Sequence, residues 1–221
     1  MTNQFRLFPA APGLIGTDES GKGDYFGPLV IAGFFCPEGQ EPVLEELGVR
    51  DSKTVSDRRI REIAGRLRQG YVHTVVSIGP EKYNELYGKF RNLNKLLAWG
   101  HARAIENILA AVDCVRAVAD QFGDERYVRE ALMKKGKTIE LIQRPRGEEE
   151  PAVAAASILA RDAFVGRLED LSREWGVDLH KGAGPPVEAS AAVFLSRHGA
   201  EALGKVAKLH FKITGRVLRL L

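Results

Sequence analysis

Residues 28–35, Pro-Leu-Val-Ile-Ala-Gly-Phe-Phe, form a nearly continuous apolar run of the kind found in strands buried on both faces. The short turn-bounded segment 13–18 before it reads the same way, and the two lie close enough to pair as antiparallel neighbours. Ser56-Asp57 caps a predicted helix over residues 58–68, and the β-branched, alternating stretch 71–78 predicts a third strand that Gly79-Pro80 ends. Residues 81–112 have helical spacing, with Leu93, Leu96, Leu97, Gly100, Ala104 and Ile108 on one apolar face. Residues 115–120 then predict a strand ending in an acid, and 138–142 another strand. Residues 152–171 predict an alanine-rich helix able to pack closely on a sheet. Strands and helices in this order predict one mixed α/β layer fold.

At 221 residues and 44% hydrophobic content the chain can fill one core, and no repeat, low-complexity segment or linker divides it. A single domain over residues 1–221 is expected, with an N-terminal extension of about 1–12 and a C-terminal helical part from about 186. A formal charge of +3, from 32 basic and 29 acidic residues, permits a nucleic-acid partner without requiring one. Cys36 and Cys114 lack metal-ligand or redox spacing and read as buried free thiols. The N-terminus lacks a secretory signal pattern and no apolar run approaches membrane-spanning length, so a cytoplasmic protein is expected.

Chemistry concentrates in Gly16-Thr17-Asp18-Glu19-Ser20-Gly21-Lys22-Gly23-Asp24-Tyr25-Phe26-Gly27-Pro28, where two carboxylates at a strand end meet a glycine-rich turn carrying a lysine. Adjacent strand residues face opposite sides, so Asp18 and Glu19 share a site only where the strand ends or twists. The segment satisfies most of a nucleotide-binding P-loop, but Gly23 stands where Ser or Thr should hold Mg²⁺, so no nucleotide cofactor is expected. The carboxylates make better sense as hard oxygen ligands for Mg²⁺ or Mn²⁺, with the glycines letting a sugar-phosphate backbone come close. Asp120 is placed to join them from a strand end; the competing reading is a cap on the following turn. Glu148, Glu149 and Glu150 read by themselves as a solvated acidic run before a helix.

The Gly-Thr-Asp-Glu-Ser-Gly-Lys-Gly-Asp-Tyr-Phe-Gly-Pro-Leu run, residues 16–29, resembles the first motif of the ribonuclease HIII family, the Gly-Lys-Gly counterpart of Gly-Arg-Gly in ribonuclease HII. Further matches follow in family order: Asp51-Ser52-Lys53, Val118-Ala119-Asp120-Gln121-Phe122, residues 154–161, Lys181-Gly182-Ala183-Gly184 and residues 207–212. The resemblance implies a ribonuclease H-like mixed five-stranded sheet flanked by helices, with additional C-terminal helices. It implies four carboxylates holding two divalent ions: Asp18, Glu19 and Asp120 match directly, and Glu148 is the best match to the fourth, with Glu149 and Glu150 open. It also implies two-metal cleavage of the RNA strand of an RNA/DNA hybrid, leaving 5′ phosphate and 3′ hydroxyl, with ions about 4 Å apart. Gly21, Lys22 and Gly23 resemble the element that contacts ribose 2′ hydroxyls. Ser52, Lys53 and Lys181 look like substrate contacts, whereas each lysine read alone is a solvated charge.

Ser157 and Arg161 lie four apart on one helix face and address one site, though Ser157 also suits close helix-sheet packing. Asn92 and Asn94 serve equally well as cap or turn residues. Residues 204–221 hold five Lys or Arg and no acid among apolar residues, so a basic amphipathic helix adding salt-sensitive affinity is expected, or an ordinary solvated face. Ribonuclease HIII proteins commonly carry an N-terminal domain resembling the TATA-binding protein. Only residues 1–12 precede the first strand here, which leaves the catalytic assignment untouched. Ribonuclease HII also cuts at single ribonucleotides in DNA, helped by a tyrosine with no evident counterpart here, so runs of ribonucleotides are the expected substrate. A monomer is expected. The alternatives are that single-ribonucleotide activity and a non-catalytic nucleic-acid binding module; a pure binder of a polyanion gains nothing from gathered carboxylates.

Overall fold

The two apolar runs become β1 (Gly13–Ser20) and β2 (Leu29–Pro37), paired antiparallel from Gly13↔Pro37 to Ser20↔Val30. The structure, a computed structural model, describes residues 12–49, 55–133 and 135–220. On the far side of β2, β3 (His73–Ile78) adds antiparallel. On the other side of β1, β4 (Arg116–Asp120) and β5 (Glu140–Arg144) add in parallel, which completes the order β3-β2-β1-β4-β5. The mixed five-stranded α/β sheet is therefore present as expected, with β1 at its centre.

Alternation along the central strands sends side chains to two separate cores. On one face, Val30, Ala32 and Phe34 pack with α2 (Asp57–Gly70) and α6 (Pro151–Trp175). On the other, Ile15, Leu29, Ile31 and Phe35 pack against α4 (Leu93–Ala111). Each large side chain so buried favours folding by about 1.5–3 kcal/mol, and the β2 positions do so on both faces, which is why this run carries no polar residue. Gly16 lets α6 press directly onto β1: a Cβ there would lie 2.1 Å from the main-chain carbon of Ala152. The alanines at the start of α6 complete that close contact, and it brings Ser157 to the end of β1.

Elsewhere the elements differ in detail from the sequence reading. The helical stretch 81–112 is two helices, α3 (Pro80–Phe90) and α4, separated where Arg91 takes a left-handed conformation (φ 48°). Asn92 is the reason α4 restarts there: its side chain accepts from the Asn94 and Lys95 N–H groups, so it is a cap. A short helix, α1 (Glu41–Leu47), forms where none was anticipated, led by Pro42 and anchored by buried Leu44. A second short helix, α5 (Glu125–Ala131), follows β4. β5 begins two residues later than the predicted strand, because residues Gly136–Thr138 form a 3-10 turn.

After α7 (Pro185–Leu203) the expected basic helix over 204–221 is largely absent. Only α8 (Lys212–Val217) is α-helical, followed by a 3-10 turn, Leu218–Leu220. Residues before α8 turn back, and Ala207 makes an isolated bridge to Phe26. Lys208, counted above among the basic face, is completely buried. Cys36 and Cys114 are buried free thiols as expected, and among the described residues no helix is long and apolar enough to cross a membrane.

Candidate active site

The end of β1 carries Asp18 and Glu19 to the rim of the sheet, where strand pairing stops and the glycine turn begins. β4 runs beside it in a register pairing Gly16 with Val118 and Thr17 with Ala119, so Asp120 arrives alongside Asp18 on the same sheet face. A cleft of about 430 Å³ opens there, lined by Asp18, Glu19, residues 20–24, Asp120, Ser157, Arg161, Phe164, Val165 and Lys181. The structure thus gathers most of the residues singled out in the sequence: three acids, the Gly21-Lys22-Gly23 turn and three contributors from α6 and the loop after it.

The two adjacent acids look in opposite directions. Asp18 faces α6, where it accepts from the Ser157 side chain and from the Glu19 N–H at 2.7 Å. Burial, then the charge of Glu19, push its carboxyl up to about 8, with Asp120 adding to the effect and the two hydrogen bonds opposing it. Glu19 faces α4, where its Oε2 lies 3.1 Å from Nε2 of His101 and its Oε1 lies 3.3 Å from Nζ of Lys22. Burial pushes Glu19 up as well, but the bonds and charges of His101 and Lys22 outweigh it and hold the carboxyl below its ordinary value.

His101 is completely buried, stacked on Phe122 at 4.7 Å, with Nδ1 2.9 Å from the buried Thr17 hydroxyl. A carboxylate can only accept, so Nε2 carries the proton toward Glu19, and in the neutral ring Nδ1 accepts from Thr17. This residue escaped the sequence reading. Its signal was a titratable side chain inside the buried face of α4, next to Gly100.

Asp120 Oδ1 accepts from the Gly147 N–H at 2.9 Å, a bond to a distant turn rather than a cap on the one that follows it, and Asp120 also lines the cleft. Gly147 is forced by closeness: a Cβ there would sit 2.9 Å from Cα of Asp120. Glu148 follows directly, in the 3-10 turn Gly147–Glu149, yet it does not line the cleft. Its neighbours are committed elsewhere: Glu150 bonds Arg144, and Glu149 is largely exposed near Arg146. Glu148 is half-buried and one residue from the Asp120 contact.

Beside the cleft, Asp57 at the first turn of α2 draws in two of its three cations, accepting from Arg161 Nη2 at 2.7 Å and from Lys181 Nζ. Burial alone would raise Asp57, and Lys181 and Arg161 together hold it below its usual value. Ion pairs as exposed as these stabilise a fold by about 1 kcal/mol at most, so their consequence is where two cations stand rather than how tightly the chain folds. The sequence reading had Asp57 only as part of a helix cap. Ser52 and Lys53 lie outside the described residues.

As placed, the acids do not close around a common point: among the described residues no three acidic, cysteine or histidine side chains form a ready-made cage. The donor set nonetheless fits a hard divalent cation. Its oxygens are acceptors only, and the pressure on Asp18 to keep a proton comes from burial beside Glu19 and Asp120, which a cation would relieve.

The family model for ribonuclease HII matches residues 15–214. The ribonuclease HIII of Protochlamydia amoebophila is 47% identical over 204 residues, covering 92% of this chain and 68% of that protein. The ribonuclease HIII of Chlamydia pneumoniae is 47% identical over 203 residues, covering 90% and 67%. Among solved structures, that of Bst-RNase HIII in complex with Mn²⁺ superposes with a TM-score of 0.87 at 32% identity, covering 96% of this chain and 70% of that one.

Proposed function

The chain belongs to the ribonuclease HII family, in which its relatives are ribonucleases HIII, and from that premise we propose how this ribonuclease H works. The substrate is the RNA strand of an RNA/DNA hybrid, cut at a phosphodiester to leave 5′ phosphate and 3′ hydroxyl. The observation that carries this reading is the convergence of Asp18, Glu19 and Asp120 on one cleft beside the Gly21-Lys22-Gly23 turn.

Asp18, Glu19, Asp120 and Glu148 would hold two divalent ions, Mg²⁺ or Mn²⁺; the Mn²⁺ complex of the Bst relative supports the ion class. The chemistry such ions supply when bound is activation of the attacking water and neutralisation of charge on the leaving 3′ oxygen. The chain's own residues prepare the rest. His101 and Ser157 orient Glu19 and Asp18 from opposite faces of β1. Arg161 and Lys181, held by Asp57, face phosphates of the bound duplex. The exposed Gly23 and its neighbours in the turn bring main chain up to the ribose edge, where a 2′ hydroxyl distinguishes RNA from DNA.

Labelled hybrid incubated with Mg²⁺ or Mn²⁺, then with chelator, tests this reading. Cleavage confined to the RNA strand and abolished by chelator is expected; a hybrid bound but uncut with either ion refutes it. A duplex carrying one ribonucleotide, run alongside, distinguishes a preference for ribonucleotide runs from ribonuclease HII-like cutting at single sites.

A further inference from the structure

The glycine turn is strapped from behind by the far end of the chain. Nζ of Lys208 donates to the carbonyl oxygens of Asp24 at 2.8 Å, Phe26 at 3.3 Å and Gly27 at 2.7 Å. The Lys208 N–H donates to Tyr25 O at 2.8 Å, and Gly27 N–H donates to Val206 O at 2.9 Å. Asp24 spends its carboxylate on the Gly182 N–H, so the ammonium is met mainly by main-chain carbonyls. The turn itself closes through Asp24 N–H to Gly21 O at 3.3 Å.

Three carbonyls point inward at one spot because the chain reverses direction between the turn and β2, with Gly27 at φ +79°. Without a cation, their aligned dipoles would repel one another and the reversal would open. A lysine used only to fill space would be a poor choice here, since burial works against its charge and lowers its pKa to about 7, with Asp24 opposing the shift. The strap is fixed in turn by Asn84 of α3, whose side chain donates to Gly204 O and Ala207 O and accepts from the Leu209 N–H.

We propose that Lys208 is a positioning residue for substrate recognition: its buried ammonium sets the main chain of residues 24–27, and through it the aim of the Gly21-Lys22-Gly23 turn. This rests on the reading of that turn as the element that meets the ribose strand. Its consequence is selective. Loss of the ammonium weakens the hold on hybrid while leaving the acids of the cleft in place.

The test compares wild type, Lys208→Met and Asn84→Ala as full chains, with Mg²⁺ present. It measures kcat and KM on hybrid, and Kd for a DNA duplex of the same sequence. Lys208→Met keeps the stem and removes the charge; KM on hybrid should rise about tenfold, with kcat and the DNA duplex Kd each within about twofold of wild type. Asn84→Ala should shift KM in the same direction by about threefold, and it carries the test alone if the Met variant does not fold. Unchanged KM in a folded variant, a fall in kcat alone, or equal weakening toward hybrid and DNA duplex overturns the proposal. A wild type that holds hybrid and DNA duplex equally overturns the reading of the turn and this inference with it. A wild type that prefers hybrid, with variants that keep the preference, overturns the inference only.

Discussion

The two faces of β1 at the cleft treat neighbouring carboxyls in opposite ways. On the α6 face, Asp18 meets burial, a neutral serine and two other acids, and its carboxyl is driven toward the protonated form. One residue later, on the α4 face, Glu19 is just as enclosed but meets His101 and Lys22, and it stays ionised. The difference teaches that burial alone does not set the charge of this site; the donors available on each face do. It also separates the faces, with Glu19 held ionised by His101 and Lys22 and Asp18 pressed toward its protonated form.

The largest effect should come from the face that carries Asp18 and Asp120. Asp18→Asn or Asp120→Asn is expected to abolish cleavage of hybrid while leaving hybrid binding largely intact, because the role proposed for these carboxylates is to hold ions rather than substrate. Undiminished turnover in either variant would misplace the site. Next, Glu148→Gln should lower kcat by at least about 10²-fold, well beyond Glu149→Gln or Glu150→Gln. Equal effects across the run, measured in parallel, would withdraw Glu148 as the acid that joins Asp120.

On the face that carries Glu19, His101→Ala should weaken Mn²⁺ binding by about 10–100-fold, the scale of losing a group that orients a ligand. Ser157→Ala should cost less, since it leaves Asp18 its Glu19 N–H bond. Titration of the ion by calorimetry reads both, and a larger loss from Ser157→Ala would reverse the contrast between the faces.

The smallest effect is on stability without metal. Asp18 has a folded-state value of about 8 against 3.8 unfolded, so the folded chain holds an extra proton between them. The associated stabilisation is present below 3.8 and is lost as pH rises through about 8. In chelator, the melting temperature should therefore fall from pH 5 to pH 8, by about 3 °C or more, and Asp18→Asn should flatten the slope. A melting temperature that rises equally in both proteins over that window would show that Asp18 is ionised throughout.

Local pattern exposed the frame of this molecule because strands and helices advertise themselves by period. The run 28–35, the alanine-rich helix and the acid ending β4 all stand where their spacing put them, and the glycine turn lines the same cleft as that acid. The elements that went unread were those whose cause is not periodic. α3 and α4 part at a left-handed Arg91, and the basic tail turns back because Lys208 is drawn inside.

By itself, then, the sequence determined the layered α/β frame, the strand ends that bear Asp18, Glu19 and Asp120, and the turn beside them. Only the tertiary structure decided which donors each acid meets. His101 reaches Glu19 across 82 residues, Arg161 reaches Asp57 across 104 and Lys208 reaches Asp24 across 184. The physical reason is that periodicity specifies which way a side chain points, whereas charge state and hydrogen bonding depend on what stands opposite, and packing alone supplies that partner.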